Sequence, residues 1–402
     1  MSKTISFNQS TYIENEPIIV YGASVYGELA YAALRQEDLT PDYYCDKSKV
    51  RKEYFGVKVI SSEELEDFKN ANIIIASADF FYEIKKELEE KGCCHLFDMA
   101  EMISMELPKE QLSNRALEMY ANRQHYIDII QNQSEDKLIF NRIQYVVTER
   151  CSLKCQDCSH LIQYYQHPQD IDLSKYKSSF DLLLEHVDYI AELRILGGEP
   201  FMNRNMDQVI EWYHDSKKIQ SISVYTNGTI VPGENIINAL QKEKVKVHIS
   251  NYKVNEDKIE NVAKVFDEYH IKYFIRVYDS WQDAGGVECR NYSTEQKEAV
   301  FAGCFERNGY TFLKGKLHRC PRVAHAMNLK AMPDVKGDYV DLLNWNGTEE
   351  ELREQLRNLQ ERSWLEGCNY CGGPNNHTQS IPAARQISKP IEYEAKYLIG
   401  ED

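Results

Sequence analysis

Three cysteines, Cys151, Cys155 and Cys158, lie close together in the segment CSLKCQDC. Three thiolates hold a cubane iron–sulfur cluster by three of its four irons, whereas a cluster that only carries electrons is normally closed by four cysteines. The fourth iron is then open to a small molecule. Zinc is the alternative, with His160 or His167 as a further ligand, although CxxxCxxC without a nearby fourth ligand is a poor structural zinc pattern. The spacing therefore favours a cluster that binds a ligand directly.

A second group of four cysteines lies nearer the C-terminus: Cys304, Cys320, Cys368 and Cys371. The first two flank FERNGYTFLKGKLHR, which is predicted to form a β-hairpin, and the last two close as CNYCGG. Four cysteines that end in CxxC bind either zinc or an iron–sulfur cluster. The spacing alone does not choose between these two metals.

Composition limits the partners and the compartment. The chain has 402 residues and a formal net charge of −16, and no stretch is dense enough in Lys and Arg to favour nucleic acid, so a small-molecule substrate is expected. No run of about 18 apolar residues indicates a membrane partner, and the polar N-terminus lacks the pattern of a signal peptide. We predict a cytoplasmic protein, in which clustered cysteines are more often metal ligands than disulfides. The scattered cysteines are expected to be small buried residues: Cys45, Cys93, Cys94 and Cys289.

Alternating strand-like and helix-like segments must position the first cysteine group. The predicted strands are IQYVVTE, which ends just before Cys151, then LRILGG, SISVYTNG, KVKVHISN and IKYFIRVY. The predicted helices between them include DLLLEHVDYIAE, MDQVIEWYHDS and KIENVAKVFDEYH. Successive βα units imply an α/β fold with a parallel sheet, open or curled into part of a barrel, whose reactive loops follow the carboxyl ends of the strands.

The first hundred residues show a shorter βαβαβα pattern. In GASVYG a strand turns into a helix at Gly22, Ser24 and Gly27, and Asp46 ends the next strand about 20 residues later. This arrangement suits a phosphate at the helix N-terminus and a carboxylate near a ribose, although a tight turn that only packs is equally compatible. The segment resembles, also through YFGVKVISSEEL, the N-terminal nucleotide-binding domain of sugar acyltransferases that act on nucleotide-linked sugars.

The residues from about 138 to 300 resemble the radical S-adenosylmethionine (SAM) enzymes. CxxxCxxC after the first strand, followed about 40 residues later by GGEP after the second, is the signature of that family. The resemblance implies that SAM chelates the open iron and is cleaved to a 5′-deoxyadenosyl radical, which abstracts hydrogen from the substrate. It further implies that Cys151, Cys155 and Cys158 bind the first [4Fe–4S] cluster.

The resemblance also implies a set of SAM-binding residues. The loop that meets the methionine amino group corresponds to Gly197, Gly198, Glu199 and Pro200. Position alone adds candidates at the ends of the third and fourth strands, where the alternative is ordinary turn residues: Thr226, Asn227, Ser250 and Asn251. Asp157 departs from the family, which commonly has an aromatic residue next to the adenine at this position. The adenine contact is therefore left unassigned.

The second cysteine group resembles the C-terminal auxiliary cluster of the twitch subgroup of this family, since the longer SPASM form needs cysteines beyond Cys371. The order of motifs is similar to that of the aminocyclitol dehydrogenases of butirosin biosynthesis. The resemblance implies a second [4Fe–4S] cluster that accepts an electron. The implied domains are a Rossmann-like domain (1–105), a helical connector (106–137), a partial (β/α)6 barrel (138–300) and a twitch-like module (301–402).

Three reactions remain open on the sequence. The first hypothesis is a dehydrogenase that oxidises a secondary alcohol of a sugar or cyclitol, with the N-terminal domain available for a linked nucleotide. The second is an epimerase in which Cys289, in GGVECRNY, returns a hydrogen atom to the substrate. The third is a peptide-modifying maturase. Each needs an external electron donor such as flavodoxin or ferredoxin.

Overall fold

The computed structural model describes residues 12–47, 51–78, 80–132, 137–375 and 377–393. The chain forms two compact units, Met1–Gln133 and Ser134–Asp402. No helix among the described residues is long and apolar enough to span a lipid bilayer.

The first unit contains a six-stranded sheet. Its strands are β1 (Ile18–Tyr21), β2 (Tyr43–Cys45), β3 (Glu53–Tyr54), β4 (Val57–Ile60), β5 (Asn72–Ile75) and β6 (Leu96–Phe97). They lie in the order β3-β4-β2-β1-β5-β6, and all pairs are parallel except β3 with β4. The order therefore reverses at β1. The aliphatic runs IIVY and NIII of β1 and β5 are buried along their length, as expected for central parallel strands.

The helices among the described residues of the first unit are α1 (Val25–Gln36), α2 (Phe81–Glu90), α3 (Ala100–Ser104), α4 (Asn114–Ala121) and α5 (Arg123–Asn132). The helical character predicted for the connector is present in α4 and α5, while residues 133–136 lie outside the described residues. The buried carboxylate of Glu28 on α1 accepts hydrogen bonds from the backbone and hydroxyl of Ser113, which precedes α4. One helical segment of the βαβαβα pattern, SSEELEDFKN, forms only a 3₁₀ helix, Glu64–Phe68.

The second unit is built on an eight-stranded sheet with a separate two-stranded ribbon. Its strands are β7 (Ile139–Thr148), β8 (Tyr189–Gly197), β9 (Ile219–Thr226), β10 (Val245–Asn251), β11 (Tyr273–Val277), β12 (Ser280–Gln282), β13 (Tyr310–Leu313), β14 (Lys316–His318), β15 (Tyr339–Asp341) and β16 (Ser380–Pro382). The large sheet has the order β11-β10-β9-β8-β7-β13-β14-β15, and β12 pairs with β16. Strands β7 to β11 and β13 are parallel, so the predicted parallel α/β architecture is confirmed. Closure into part of a barrel stays a prediction.

In the part of this unit that the structure describes, the helices are α6 (Leu173–His186), α7 (Asp207–Tyr213), α8 (Glu234–Leu240), α9 (Glu256–Glu268), α10 (Thr294–Gly303), α11 (Pro321–Asn328) and α12 (Glu349–Gln360). One predicted boundary was wrong, because DLLLEHVDYIAE is not helical throughout. The helix ends at His186, and β8 begins at Tyr189, earlier than predicted. From Tyr189 onward nearly every residue is buried, as in a central strand of a parallel sheet. Packing in the sheet therefore outweighs the local preference of this segment for helix.

The region after residue 300 continues the main sheet. The predicted hairpin is confirmed, since β13 pairs antiparallel with β14 across the turn at Lys314 and Gly315. Strand β13 also pairs in parallel with β7, from which it is far removed in sequence. The second cysteine group is therefore attached to the same sheet as the first.

Candidate active site

The three-cysteine loop begins where β7 ends, and the GGEP loop lies directly against it. The amide of Gly198 donates to the carbonyl of Thr148 at 3.0 Å, and that of Glu199 donates to the carbonyl of Arg150 at 2.8 Å. A Cβ atom at Gly197 would lie 2.2 Å from the Thr148 carbonyl oxygen, and one at Gly198 would lie 2.1 Å from that of Arg150. Both glycines are therefore required by the backbone at the end of β7 and just after it, in addition to any role toward SAM.

Glu199 joins the loops that follow β8 and β9. Its carboxylate is fully buried and accepts hydrogen bonds from the hydroxyl of Thr226 at 2.7 Å and the backbone amide of Asn227 at 2.8 Å. Burial raises the pKa of Glu199 to about 7, although the hydrogen bonds from Asn227 and Thr226 lower it. Pro200 follows as the first residue of a 3₁₀ helix, Pro200–Met202. The role predicted for Glu199 toward an ammonium group stays a prediction.

The loop after β9 reaches the first cysteine. The Asn227 side-chain amide lies 3.7 Å from Cys151 Sγ and 3.1 Å from the hydroxyl of Ser152. The carboxyl ends of β7, β8 and β9 thus bring together Cys151, Glu199 and Asn227, as the parallel topology predicts.

The end of β10 contributes Ser250, Asn251 and the next residue, Tyr252. Ser250 forms a hydrogen bond with Tyr252. Burial raises the pKa of Tyr252, and the charges of the nearby Cys158 and Cys155 raise it further. Asn251 uses its side-chain oxygen to cap the turn at Lys253. Tyr252 packs edge-on against Trp281 with ring centroids 5.3 Å apart. Sequence reasoning did not single out Tyr252, which supplies aromatic surface near the cluster loop.

The three thiols have the surroundings of cluster ligands. Burial raises the pKa of Cys151, Cys155 and Cys158, and the pKa of Cys155 reaches about 12. Backbone amides form hydrogen bonds with the sulfurs of Cys151 and Cys158. These bonds favour the thiolate form, which the irons of a cluster would stabilise further. Among the described residues, no three Cys, His, Asp or Glu side chains converge on one point that a single ion would occupy. A cubane cluster takes each thiolate on a different iron.

The second cysteine group lines one cavity. Its walls include all four thiols together with apolar side chains: Cys304, Cys320, Cys368, Cys371, Val300, Phe301, Val323 and Leu365. Burial raises the pKa of Cys304 and Cys368 to about 12. Burial also raises the pKa of Cys320, and the charges of the other three thiols add to the effect. The amides of Glu306 and Gly373 lie 3.4 Å from the sulfurs of Cys304 and Cys371. A thiolate cluster in an apolar cavity with N–H donors fits this set.

Arg322 lies between the two cysteine groups. Its side chain lines the four-cysteine cavity and donates to the backbone carbonyls of Gly285 and Gly286. Burial raises the pKa of Cys158 and lowers that of His160, and the charge of Arg322 lowers both. The guanidinium is therefore within electrostatic reach of the three-cysteine loop and in contact with the cavity of the second group.

One face of the large sheet is polar, which sequence reasoning missed. Paired neighbours that share this face are Arg142 with Glu192, Gln144 with Arg194, Tyr225 with His248, His248 with Phe274, and Ser250 with Arg276. The alternate residues, among them Ile143, Leu193, Ile222 and Val247, are in the apolar core. The signal was the strict alternation in RIQYV, ELRIL and KVKVHIS, since parallel strands covered on both faces are normally apolar throughout.

The polar face is ordered by its own contacts. Glu192 accepts hydrogen bonds from Arg194 at 2.6 Å and from the hydroxyl of Ser223 at 2.5 Å. The Arg194 guanidinium lies over the ring of Tyr225, which stacks on His248 at 4.7 Å between ring centroids. His160, two residues after Cys158, contacts the side-chain oxygen of Gln144 at 3.0 Å. The polar face therefore extends to the three-cysteine loop.

Cys289 and Asp157 were also singled out from the sequence. Cys289 is exposed in the loop after β12, with its sulfur 3.4 Å from the side-chain oxygen of Asn291, so the expectation of a buried residue was wrong for Cys289, as it was for the exposed Cys94. Its role as a hydrogen donor stays a prediction. Asp157, at the position where the family commonly has an aromatic residue, forms an ion pair with Arg385 at 3.4 Å.

The candidate nucleotide residues surround the carboxyl end of β1 in the first unit. Gly22 has a φ of +123°, and a Cβ there would lie 2.7 Å from the carbonyl oxygen of Ala76. A Cβ atom at Gly27 would lie 2.1 Å from the carbonyl oxygen of Gly22. Ser24 caps α1 without a side-chain hydrogen bond to the helix, and Asp46 follows β2. Packing alone accounts for both glycines, and the nucleotide site stays a prediction.

Comparison with known proteins gives partial matches. A family model described as "C2185-like, N-terminal" matches residues 14–94. The GTP 3′,8-cyclase of Aliarcobacter butzleri is 29% identical over 120 residues, which cover 29% of this chain and 36% of that enzyme. The GTP 3′,8-cyclase of Clostridium botulinum is 27% identical over 128 residues, covering 31% and 39%. The chain thus spans well under half the length of these curated relatives.

Solved structures give low-scoring alignments. BtrN in complex with AdoMet and 2-DOIA aligns over 59% of this chain and 94% of that chain, with 14% identity and a TM-score of 0.33. Native anSMEcpe with bound AdoMet aligns over 58% and 89%, with 14% identity and a TM-score of 0.36. The similarity to the GTP 3′,8-cyclases supports an enzyme of the radical SAM family, in keeping with the three-cysteine and GGEP motifs.

Proposed function

We propose that the protein is a radical SAM dehydrogenase that oxidises a secondary alcohol of a sugar or cyclitol. The observation that carries the proposal is that four cysteines line one cavity, which Arg322 also lines. An oxidation must pass one electron to an acceptor after hydrogen abstraction, and a fully ligated cluster at this place suits that task.

Hydrogen abstraction would take place at the three-cysteine site. Cys151, Cys155 and Cys158 would hold a cluster with SAM, which when bound would supply the radical that abstracts hydrogen from a carbinol carbon. Glu199 and Asn227 fix the loops around that position, and the glycines of GGEP keep the loops in contact. Loss of the hydroxyl proton from the resulting substrate radical, with transfer of one electron to a cluster held by the second cysteine group, would then give a ketone.

The polar sheet face favours a hydroxyl-rich substrate. Its charged and polar side chains, Glu192, Arg194, Tyr225 and His248, hydrogen-bond or stack on one another. A sugar or cyclitol exposes hydroxyl groups that act as both donors and acceptors, so it satisfies such a surface better than an apolar side chain does. This supports a polyol over the peptide substrate of a maturase.

We further propose that the first unit binds the nucleotide of a nucleotide-linked substrate. The strand order reverses at β1, and ligands of open parallel sheets bind at the carboxyl ends of strands at such a point. Ser24 and the first turn of α1 lie there, with Asp46 on the neighbouring strand end.

Iron content separates the proposal from its alternatives. After anaerobic reconstitution, two cubane clusters predict ~8 irons per chain. The triple variant Cys151→Ala, Cys155→Ala, Cys158→Ala should retain ~4 irons and release no 5′-deoxyadenosine from SAM. The double variant Cys368→Ala, Cys371→Ala should also retain ~4 irons, but it should still cleave SAM.

The product then tests the reaction class. Incubation with sugars, cyclitols and their nucleotide conjugates should give a ketone with one equivalent of 5′-deoxyadenosine, and the double variant should not form it. Zinc in place of the second cluster would contradict the dehydrogenase, and a stereoisomer in place of a ketone would favour the epimerase. Absence of iron from the wild type would contradict the radical SAM assignment as a whole.

A further inference from the structure

A C-terminal segment lies along the three-cysteine loop. We call residues Ser380–Tyr393 the strap. Its first residues form β16, which pairs with β12, and Tyr393 donates a hydrogen bond to the carbonyl of Leu329 at 2.5 Å. Between these anchors, Gln386 forms an antiparallel bridge with Cys155. The amide of Gln156 donates to the carbonyl of Arg385 at 2.8 Å, and that of Ile387 donates to the carbonyl of Lys154 at 2.9 Å.

The side chain of Gln386 joins the strap to a cysteine sulfur. Its Oε1 accepts a hydrogen bond from the backbone amide of Lys154 at 2.8 Å. Its Nε2 donates to Cys155 Sγ at 3.3 Å and to the carbonyl of Ala384 at 2.7 Å. Ala384, two residues before Gln386, is fully buried, so the strap backbone is held in place next to Gln386. A single side chain thus orients the loop backbone and contacts a ligand sulfur.

A donor at a ligand sulfur changes the electrostatics of a cluster. Reduction adds negative charge to the cluster and its thiolates, and an N–H group that points at the sulfur stabilises that charge. Hydrogen bonds to the sulfurs are among the factors that set cluster reduction potentials. Removal of the donor therefore makes the cluster harder to reduce, which lowers its midpoint potential.

We propose that Gln386 is a positioning residue of the three-cysteine cluster, which fixes Cys155 and raises the reduction potential through its N–H···S hydrogen bond. The inference rests on the proposed function, because it needs a cluster at Cys151, Cys155 and Cys158. The strap is in this respect part of the active site, although it follows the last cysteine of the second group in sequence.

Two variants separate the two contacts of Gln386. Gln386→Met keeps the length of the side chain and removes both the donor and the acceptor. Gln386→Glu keeps an oxygen for the Lys154 amide and removes the donor to sulfur. The matched control is Gln166→Leu, because Gln166 Nε2 also bonds the strap, at the carbonyl of Ile391 at 3.1 Å, and its side chain has no described bond to a cysteine.

The measurement is a redox titration of the three-cysteine cluster, followed by electron paramagnetic resonance, with iron counted in each sample. Both Gln386 variants should lower the equilibrium constant for one-electron reduction about tenfold, a shift of about −59 mV. Selective loss of iron from the Gln386 variants would also support the proposal, since it shows that Cys155 is no longer held. Gln166→Leu should match the wild type in both readouts.

The outcomes distinguish this proposal from the function on which it rests. If the wild type holds its cluster and the Gln386 variants have the same reduction potential and iron content, the role of Gln386 is overturned. The proposed function would still stand. An equal shift in Gln166→Leu would also overturn it, because the effect would then belong to the strap in general. A wild type without a cluster would overturn both.

Discussion

The carboxyl group of Glu199 illustrates how one buried residue links the loops of the site. It accepts three hydrogen bonds, from Thr226, Asn227 and, at 3.3 Å, the amide of Phe201. No cation is described beside it, so the burial of its charge is offset only by neutral donors. This residue should therefore leave a signature in the pH dependence of stability.

The prediction for Glu199 follows from the direction of its pKa. Burial raises the pKa in the folded state to about 7 from 4.5, so the folded chain binds more protons than the unfolded chain between these values. The favourable contribution is fully present below pH 4.5 and is lost as pH rises to about 7. The free energy of unfolding should fall by about 3 kcal/mol across this window relative to Glu199→Gln.

The measurement is denaturant unfolding of the cluster-free protein at several pH values, for both proteins. Thr226→Val is a second variant, because it removes one donor that lowers the pKa of Glu199, and it should move the window to higher pH. Parallel pH profiles for the wild type and Glu199→Gln would contradict the prediction.

At the scale of elements, sequence alternation predicted most of the strands that carry the site. β7, β9, β10 and β11 lie where IQYVVTE, SISVYTNG, KVKVHISN and IKYFIRVY predicted them. The signal was strong for β7, β9 and β10, because each of these strands ends in a loop and is followed by a helix. The boundary of β8 was missed, since the local preference of VDYIAE for helix yields to the burial of Tyr189 and Ile190 in the sheet.

Long-range pairings could not be predicted from one sequence. The parallel pairing of β13 with β7 and the bridge between Gln386 and Cys155 join segments that share no local pattern. Segment IPAARQISKP has no periodicity, so its place against the cluster loop follows only from the tertiary structure. The location of Arg322, near both cysteine groups, depends on the same long-range arrangement.

The 3₁₀ helix Glu366–Tyr370, which carries Cys368, depends on Asp338. The Asp338 carboxylate is fully buried and accepts hydrogen bonds from the amides of Glu366 at 3.0 Å and Gly367 at 2.8 Å. Asp338→Ala leaves two amides without this acceptor, at a cost of about 1–3 kcal/mol each. We expect the second cluster to be lost, with iron falling from ~8 to ~4 per chain while SAM cleavage persists.

The measurement is iron and 5′-deoxyadenosine per chain after reconstitution. The matched control is Asp334→Ala, which removes a nearby carboxylate that pairs with Lys316 at 3.0 Å in a partly exposed ion pair. Exposed ion pairs contribute little to stability, so this variant should keep its iron. Equal iron in the two variants would show that Asp338 does not hold the second site.

At the scale of the whole molecule, the two compact units suggest a division of labour. All seven cysteines of the two groups lie in Ser134–Asp402, so the chemistry proposed above is confined to the second unit. The first unit has a parallel sheet with a reversal of strand order at β1. Under the proposed function, it contributes affinity for the nucleotide end of the substrate and takes no part in SAM cleavage.

This division predicts separable effects of two glycine variants in the first unit. Gly22→Ala places a methyl group 2.7 Å from the Ala76 carbonyl oxygen and strains a backbone with φ of +123°, so it should distort the turn where a phosphate would bind. Gly92→Ala imposes a comparable strain at φ of +83°, but its nearest neighbour is the Lys69 side chain at 3.9 Å. Both should leave iron content and SAM cleavage unchanged.

Calorimetric titration of the full chain with uridine and adenosine diphosphates measures the difference. Gly22→Ala should weaken the binding of the preferred diphosphate at least about tenfold, which corresponds to about 1.4 kcal/mol, whereas Gly92→Ala should match the wild type. Thermal unfolding of each variant shows whether a loss of binding reflects local distortion or an unfolded unit. Equal affinities in the two variants, or no binding by the wild type, would favour the alternative in which GASVYG is a tight turn that only packs. The substrate search would then move to free sugars and cyclitols, because the polar sheet face of the second unit would be the remaining recognition surface.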